Sequence, residues 1–452
     1  MSLVAHGIGG VRDLPVPDWL FFWGGAVVLV LSFLALGMLW RRPVLERLSA
    51  GRPLPMGLER VLRSTALRLV LGAFSVALLA LVFLTALLGE PSSAVNLAPT
   101  FVYVVFWLGV VALQVVLGNV WPVLNPWLAV ADAVAWCWGR LGRTWEPLAT
   151  YPERLGVYPA AILLFAFTTL ELAYNDPANP RSLALAVALY SYVTWFGMAT
   201  FGRRKWAEHG DDFTVYFGVL ARVAPFGEHA GRLVLRAPLS GLAGPDRRPG
   251  ALLFVAVMLG SVGFDGLSRA TFWQDLRARV EGRYVLDSPG LADLFGTLLS
   301  LGGLLACVLF VCTAYLVAVR LARLGARRPG DLWPEFLRGL IPIALVYAVA
   351  HYFTLLLVQG QFTIPLASDP FGFGWDVLGT YSFQPNLAPL APNAVWYVQV
   401  GALVAGHVAG LAVAHDRAIG ILPPRAALRS QYAMLVLMVL YTVGGLWLLS
   451  QE

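Results

Sequence analysis

The chain has 452 residues, a mean hydropathy of +0.71 and only 13% charged residues, about half the charge of a soluble domain, which excludes a water-soluble globular fold. Its net charge of +6 would suit nucleic acid, but the basic residues follow a membrane pattern set out below, and no nucleic-acid partner is expected. Of three cysteines, Cys307 and Cys312 share one apolar run at i and i+5 and point to different faces, and Cys137 lies far away, so neither a disulfide framework nor a CxxC site follows.

Residues 1–18 contain Pro and Asp and lack an apolar h-region, so no cleavable signal peptide is expected. The stretch "AHGIGGVRDLPVPDW" carries His6, Asp13 and Asp18, which could fold over an outward-facing mouth. Apolar runs then predict ten spans, at 19–40, 66–88, 100–118, 157–175, 183–201, 251–271, 291–320, 337–358, 394–415 and 431–450. No long polar linker divides them, so residues 1–452 are read as one all-α integral membrane bundle. Two connecting segments, 119–140 and 211–226, are themselves apolar and read as re-entrant or interfacial helices against lipid headgroups on the cytoplasmic side. No internal repeat is visible.

With the N-terminus outside, the inside segments hold 26 of the 32 Lys and Arg residues and the outside segments hold six. That asymmetry is the positive-inside pattern. It predicts a multi-pass protein of the cytoplasmic (inner) membrane with both termini extracytoplasmic and the lipid bilayer as its partner.

Ionisable groups within spans cost about 2.5–3.5 kcal/mol each on insertion scales, so each needs a reason. The deep ones are Glu171, Asp265, His351 and His407. The first three lie 14 residues from the inner ends of their spans, which puts each about 21 Å up a roughly 30 Å core. His407 falls about 10 Å lower. Glu171, Asp265 and His351 are therefore the candidate catalytic and metal-binding residues. A His with two carboxylates is a sensible ligand set for zinc or copper, and such a metal would make a nucleophile of bound water. The same trio without metal could relay protons or bind a cation. Structural roles compete: Asp265 and Arg269 are spaced to pair, Glu171 could reach outer water, and His351 could join helices through a backbone carbonyl. No HExxH or Gly-x-Ser-x-Gly motif appears.

After His351 comes a 35-residue outside loop, Gln359–Asn393, long for a connection between packed helices. Gln359, Gln361, Asp369, Trp375 and Asp376 are candidates to bind a ligand there, with Phe371, Phe373 and Trp375 packing it as a lid. Asp369 before Pro370 suits a turn, and Asp376 could cap a short helix "DVLGT". A bis-histidine haem is disfavoured by the depth offset between His351 and His407. His415, two turns beyond His407, suits the cytoplasmic end of its helix. His6, His407 and His415 remain secondary site candidates.

The stretches "NVWPVLNPW", "LELAYNDPANPR", "FTVYFGVLAR", "GFDGLS", "QGQFTIPLASDPFGFGWDVLGT" and "GHVAGLAVAHDRA" resemble, over nearly the whole chain, a group of largely actinobacterial polytopic proteins labelled the membrane component of fenitrothion hydrolase. The resemblance implies hydrolysis of an organophosphate triester at the membrane together with a second, small protein component. The alternative from the residues themselves is a transporter, or a metal-handling or redox-associated subunit of a larger membrane complex.

Overall fold

The computed structural model describes residues 18–285, 288–326 and 330–449. The apolar runs form helices because in lipid a backbone must satisfy its polar groups within its own segment. In chain order the main helices are α1 (Asp18–Leu39), α2 (Thr65–Leu88), α3 (Leu97–Leu117), α4 (Pro126–Arg140), α5 (Tyr158–Leu172), α6 (Pro180–Phe201) and α7 (Arg203–His209). They continue as α8 (Asp212–Leu220), α9 (Ala251–Arg269), α10 (Thr271–Gly282), α11 (Pro289–Ala326), α12 (Ile341–Gln359), α13 (Pro392–Ile421) and α14 (Pro424–Leu449). Among the described residues nine helices are long and apolar enough to cross a membrane. The chain is an all-α multi-pass membrane protein. The first expected span, 19–40, corresponds to α1, whose described apolar part is Trp23–Leu39.

Helix starts follow from local chemistry. Asn125 and Asn179 each cap a helix that begins with proline: Asn125 accepts from Leu128 N–H, and Asn179 from Arg181 and Ser182 N–H. A side-chain oxygen there satisfies amides that the helix leaves orphaned, and Pro suits the first turn. The two prolines of 119–140 therefore start helices instead of breaking one. Within α3, Phe101–Gly109 is a π-helix.

α9 and α12 form the centre. Two thirds of the apolar window of α9 and of the Trp333–Ser368 segment containing α12 is buried, against 28–39% for the other spans. α9 packs on α5, α11 and α12; α12 packs on α13; α14 packs on α11, α13 and α1; α2 pairs with α6. Gly260 brings α9 close to α11, because a Cβ there would sit 2.8 Å from the backbone of Val308. Small residues allow such approach between membrane helices.

α8 corrects the interfacial reading of 211–226. Seven of its nine residues are buried, and it packs against α3, α5 and α12 inside the bundle. Phe213 and Phe217 meet Phe106 edge-on at 4.7 and 5.7 Å, so its aromatics face protein. The 119–140 segment is divided: Trp121, Trp127 and Leu128 are buried, whereas Trp136 and Trp138 are exposed. A small sheet was not expected. β1 (Arg52–Pro53), β2 (Phe226–His229) and β3 (Arg232–Leu235) pair antiparallel in the order β1-β3-β2, with Arg52 opposite Leu235. Ala230 and Gly231 both take positive φ, 48° and 76°, which is the two-residue hairpin turn that matches strand twist.

Candidate intramembrane site

Asp265 lies one turn from the end of α9, and His351 and Tyr352 are neighbours on α12. His351 Nε2 lies 2.6 Å from Asp265 Oδ2, and the Tyr352 hydroxyl donates to the same oxygen at 2.6 Å. Arg269, one turn along α9, donates Nη2–H to Asp265 Oδ1 at 2.9 Å. Asp265 is 5% exposed and His351 6%, so this is a desolvated group of charge and hydrogen bond, the kind that tolerates no missing partner. The i, i+4 pairing of Asp265 with Arg269 and the contact with His351 exist together on the two oxygens of one carboxylate.

Glu171 sits in the last turn of α5, close enough for the charges of Asp265 and His351 to act on it. It lines a cavity of about 300 Å³ whose other polar groups include Tyr352 and Ser261, while Trp107, Tyr216 and Phe353 give it an aromatic wall. Trp107 reaches that wall from the π-helix and stacks on Tyr216 with ring centroids 4.6 Å apart. π-helical turns occur often at functional sites. The cavity suits a mostly apolar molecule with one or two polar atoms.

The structure thus brings Asp265 and His351 into contact and leaves Glu171 within electrostatic reach of both. It does not arrange them as a metal site. Among the described residues no group of three or more His, Cys, Asp or Glu side chains is placed to hold a metal ion. The physical reason is that both oxygens of Asp265 already accept bonds from Arg269, Tyr352 and His351. The residues present do not fit the zinc or copper centre that the donor types suggest.

The long loop is not a lid over this cavity. Among the described residues none of 359–393 lines it. The loop docks instead on the connection between α2 and α3, where Glu90 N–H donates to Phe371 O at 2.9 Å and Leu97 N–H to Pro370 O at 3.1 Å. Gln359 ends α12. Gln361 pins the loop to itself, donating to Leu357 O and Asn386 O and accepting from Asn386 N–H. Asp369 makes the expected turn, accepting from Phe373 N–H at 3.0 Å and Gly374 N–H at 2.7 Å. Asp376 accepts from Ser368 Oγ and Tyr381 N–H, and "DVLGT" forms turns, not a helix. Trp375 is half exposed and packs on Phe371 and Phe373, centroids 5.4 and 5.6 Å apart. Asp369→Ala should therefore loosen the loop by about 1–2 kcal/mol, the cost of two orphaned amides. Limited proteolysis should then cut within 369–381 faster than in the native chain, with the site around Asp265 unchanged.

His407 is fully buried, donates Nδ1–H to Leu403 O at 2.8 Å, and meets Tyr347 edge-on at 5.8 Å. Tyr347 is one turn before His351, so His407 sits about 6 Å lower on the bundle. His415 is held on both ring nitrogens, by Gln431 Oε1 at 2.7 Å and Trp40 O at 2.9 Å; it joins helices and does not face the cavity. His6 and Asp13 lie outside the described residues.

Sequence reasoning missed Tyr352. Its signal was a hydroxyl beside His351 within an apolar run, which needs a buried partner. It also missed a second polar centre. Asp211 caps α8 through Thr214 N–H at 3.1 Å and also accepts from Thr214 Oγ1, Asn125 Nδ2 and Tyr190 Oη at 2.8, 2.8 and 2.9 Å. The signal there was the Asp211–Asp212 pair opening an apolar stretch. No family model, curated protein or solved structure matches this chain.

Proposed function

We propose that the chain admits an apolar small molecule to the cavity beside Glu171 and couples its passage to a proton held by Glu171, Asp265 and His351. The observation that carries this is the 2.6 Å contact between buried Asp265 and His351, next to a cavity that Glu171 lines. Ionisable groups at this depth serve proton or ion pathways. Asp265, whose charge Arg269 already balances, orients the ring: His351 Nε2–H donates to Oδ2 whether the ring is neutral or cationic, the second nitrogen carries the change of protonation, and Glu171 is the second carboxylate near enough to answer an imidazolium. Glu171, on the cavity wall, is the group that a substrate would meet.

Proteoliposomes holding a trapped pH dye test this. Native protein should acidify or alkalinise the lumen when a non-ionisable apolar molecule is added outside, and protein-free liposomes should not. His351→Ala should cut the rate by about tenfold or more, the scale of losing one proton-transfer group. Equal rates for native and His351→Ala would remove the proposal. The resemblance to fenitrothion hydrolase membrane components supports a second reading, hydrolysis of an apolar phosphotriester with His351 as general base towards water and Asp265 orienting it. A nitrophenyl phosphotriester added to the same preparation, alone and with a small protein partner, separates the two readings, because release of nitrophenol needs no pH gradient.

The positive-inside pattern supports extracytoplasmic termini in an inner membrane. Cys137, exposed near the end of α4, then lies on the cytoplasmic side. An impermeant maleimide should label it in inside-out vesicles and leave it unlabelled in right-side-out cells.

A further inference from the structure

A different cluster lies at the basic end of the bundle. Arg222 stands in the turn after α8, Arg236 follows β3, Arg247 and Arg248 precede α9, Arg338 precedes α12, and Arg417 lies near the end of α13. Among the described residues only two carboxylates answer them. Asp246 takes Arg248 on both oxygens, at 2.9 and 2.7 Å. Glu335 takes Arg247 on one oxygen and Arg417, at 2.8 and 2.6 Å, on the other. Arg236 is committed to the carbonyls of Ala224, Ala221 and Arg222.

Arg222 and Arg338 are left. Arg338 donates Nη1–H to Ala243 O at 2.7 Å, yet its Nε is buried with no partner among the described residues. Arg222 Nε is buried in the same condition. Burial, then the charges of Arg338 and Arg248, push the Arg222 guanidinium down to about 10. Two orphaned guanidinium N–H groups from different elements, in a cluster with excess positive charge, call for an anion. A phosphate group fits: it is tetrahedral, offers acceptors in several directions, and pairs with the guanidinium fork better than with an ammonium.

We propose that Arg222 and Arg338 form a site for a phosphate group, carried by an anionic phospholipid headgroup or by free phosphate. Basic pockets between membrane helices bind such headgroups. The test uses the full-length chain in detergent, stripped of lipid, with thermal unfolding followed during separate titrations with phosphatidylglycerol, phosphatidylcholine and inorganic phosphate. The expected result is a saturable rise in midpoint with phosphatidylglycerol that exceeds any rise with phosphatidylcholine. Arg222→Lys keeps the charge but loses the fork, and should weaken the apparent affinity about tenfold. Arg338→Gln, read in the same way, covers the case in which Arg222→Lys does not fold. A matching rise with inorganic phosphate assigns the free anion as the source, and a rise with phosphatidylglycerol alone assigns the headgroup. No rise with either, equal rises with both lipids, or a folded variant with native affinity overturns the site.

Discussion

Asp265→Asn should destabilise the chain by about 3–5 kcal/mol, the usual cost of breaking one partner out of a buried charge group. The change is isosteric, so no cavity is made and the effect is one of hydrogen bonding. Asp265 Oδ1 and Oδ2 accept from Arg269, His351 and Tyr352. An amide can present only one oxygen. Its –NH₂ must face Arg269 on one side or Tyr352 and His351 on the other, donor against donor, while the guanidinium loses its counter-charge. Chemical unfolding in detergent checks this, and a double-mutant cycle with His351→Phe should show coupling of about 0.5–3 kcal/mol, as contacting residues do. A loss under about 0.5 kcal/mol, the range of an ordinary surface change, would contradict the network. The lumenal pH response proposed for the native chain should fall as well, because His351 would lose its orienting partner.

The second large effect is expected at Asp211. It is fully buried and joins three elements: Asn125, which caps α4, Tyr190 on α6, and Thr214 in the first turn of α8. Asp211→Ala removes a helix cap and the acceptor that Asn125, Tyr190 and Thr214 share, for a loss of about 3–5 kcal/mol. Its neighbour should behave oppositely. Asp212 is fully buried, beside Tyr190 and the charge of Asp211, and neither of its oxygens makes a hydrogen bond of good geometry among the described residues. Burial first, then the charge of Asp211, push the Asp212 carboxyl well above the usual carboxylate range. The native chain then holds a proton that the unfolded chain releases, so stability is greatest at low pH and is lost as pH rises towards the raised value. Asp212→Asn removes that dependence. The variant should match the native chain below about pH 4, the ordinary carboxylate range, and exceed it increasingly as pH rises towards the raised value. A gap that narrows with pH would contradict the assignment.

How much of this could be read from the sequence depends on where the signal lives. Spans were legible because twenty apolar residues in a row have one solution in lipid. The convergence of Asp265 and His351 was legible because rise per residue converts position into depth. α8 was misread because an aromatic, apolar helix looks the same whether it faces headgroups or a protein interior; only its neighbours decide. The docking of the 359–393 loop was illegible for another reason. Its anchors are backbone bonds from Glu90 and Leu97 to Phe371 and Pro370, which leave no mark in side-chain identity. The metal reading failed because donor types in one place do not reveal that Arg269 and Tyr352 already occupy the carboxylate.

The joins made by residues 40–59 have a consequence for biogenesis. Val44 N–H is held by Asp416 Oδ1 at 2.6 Å, Trp40 Nε1 by the same oxygen at 3.0 Å, and Glu59 by Arg232 at 2.6 Å. Arg52 pairs with Leu235. Every one of these partners is translated long after the first span has left the ribosome. The segment after α1 must therefore wait, unsealed, through insertion of most of the chain, and α1 can lock onto α13 and α14 only at the close of synthesis. Truncation after residue 410 would leave a full set of earlier helices whose opening segment has lost its Asp416 anchor.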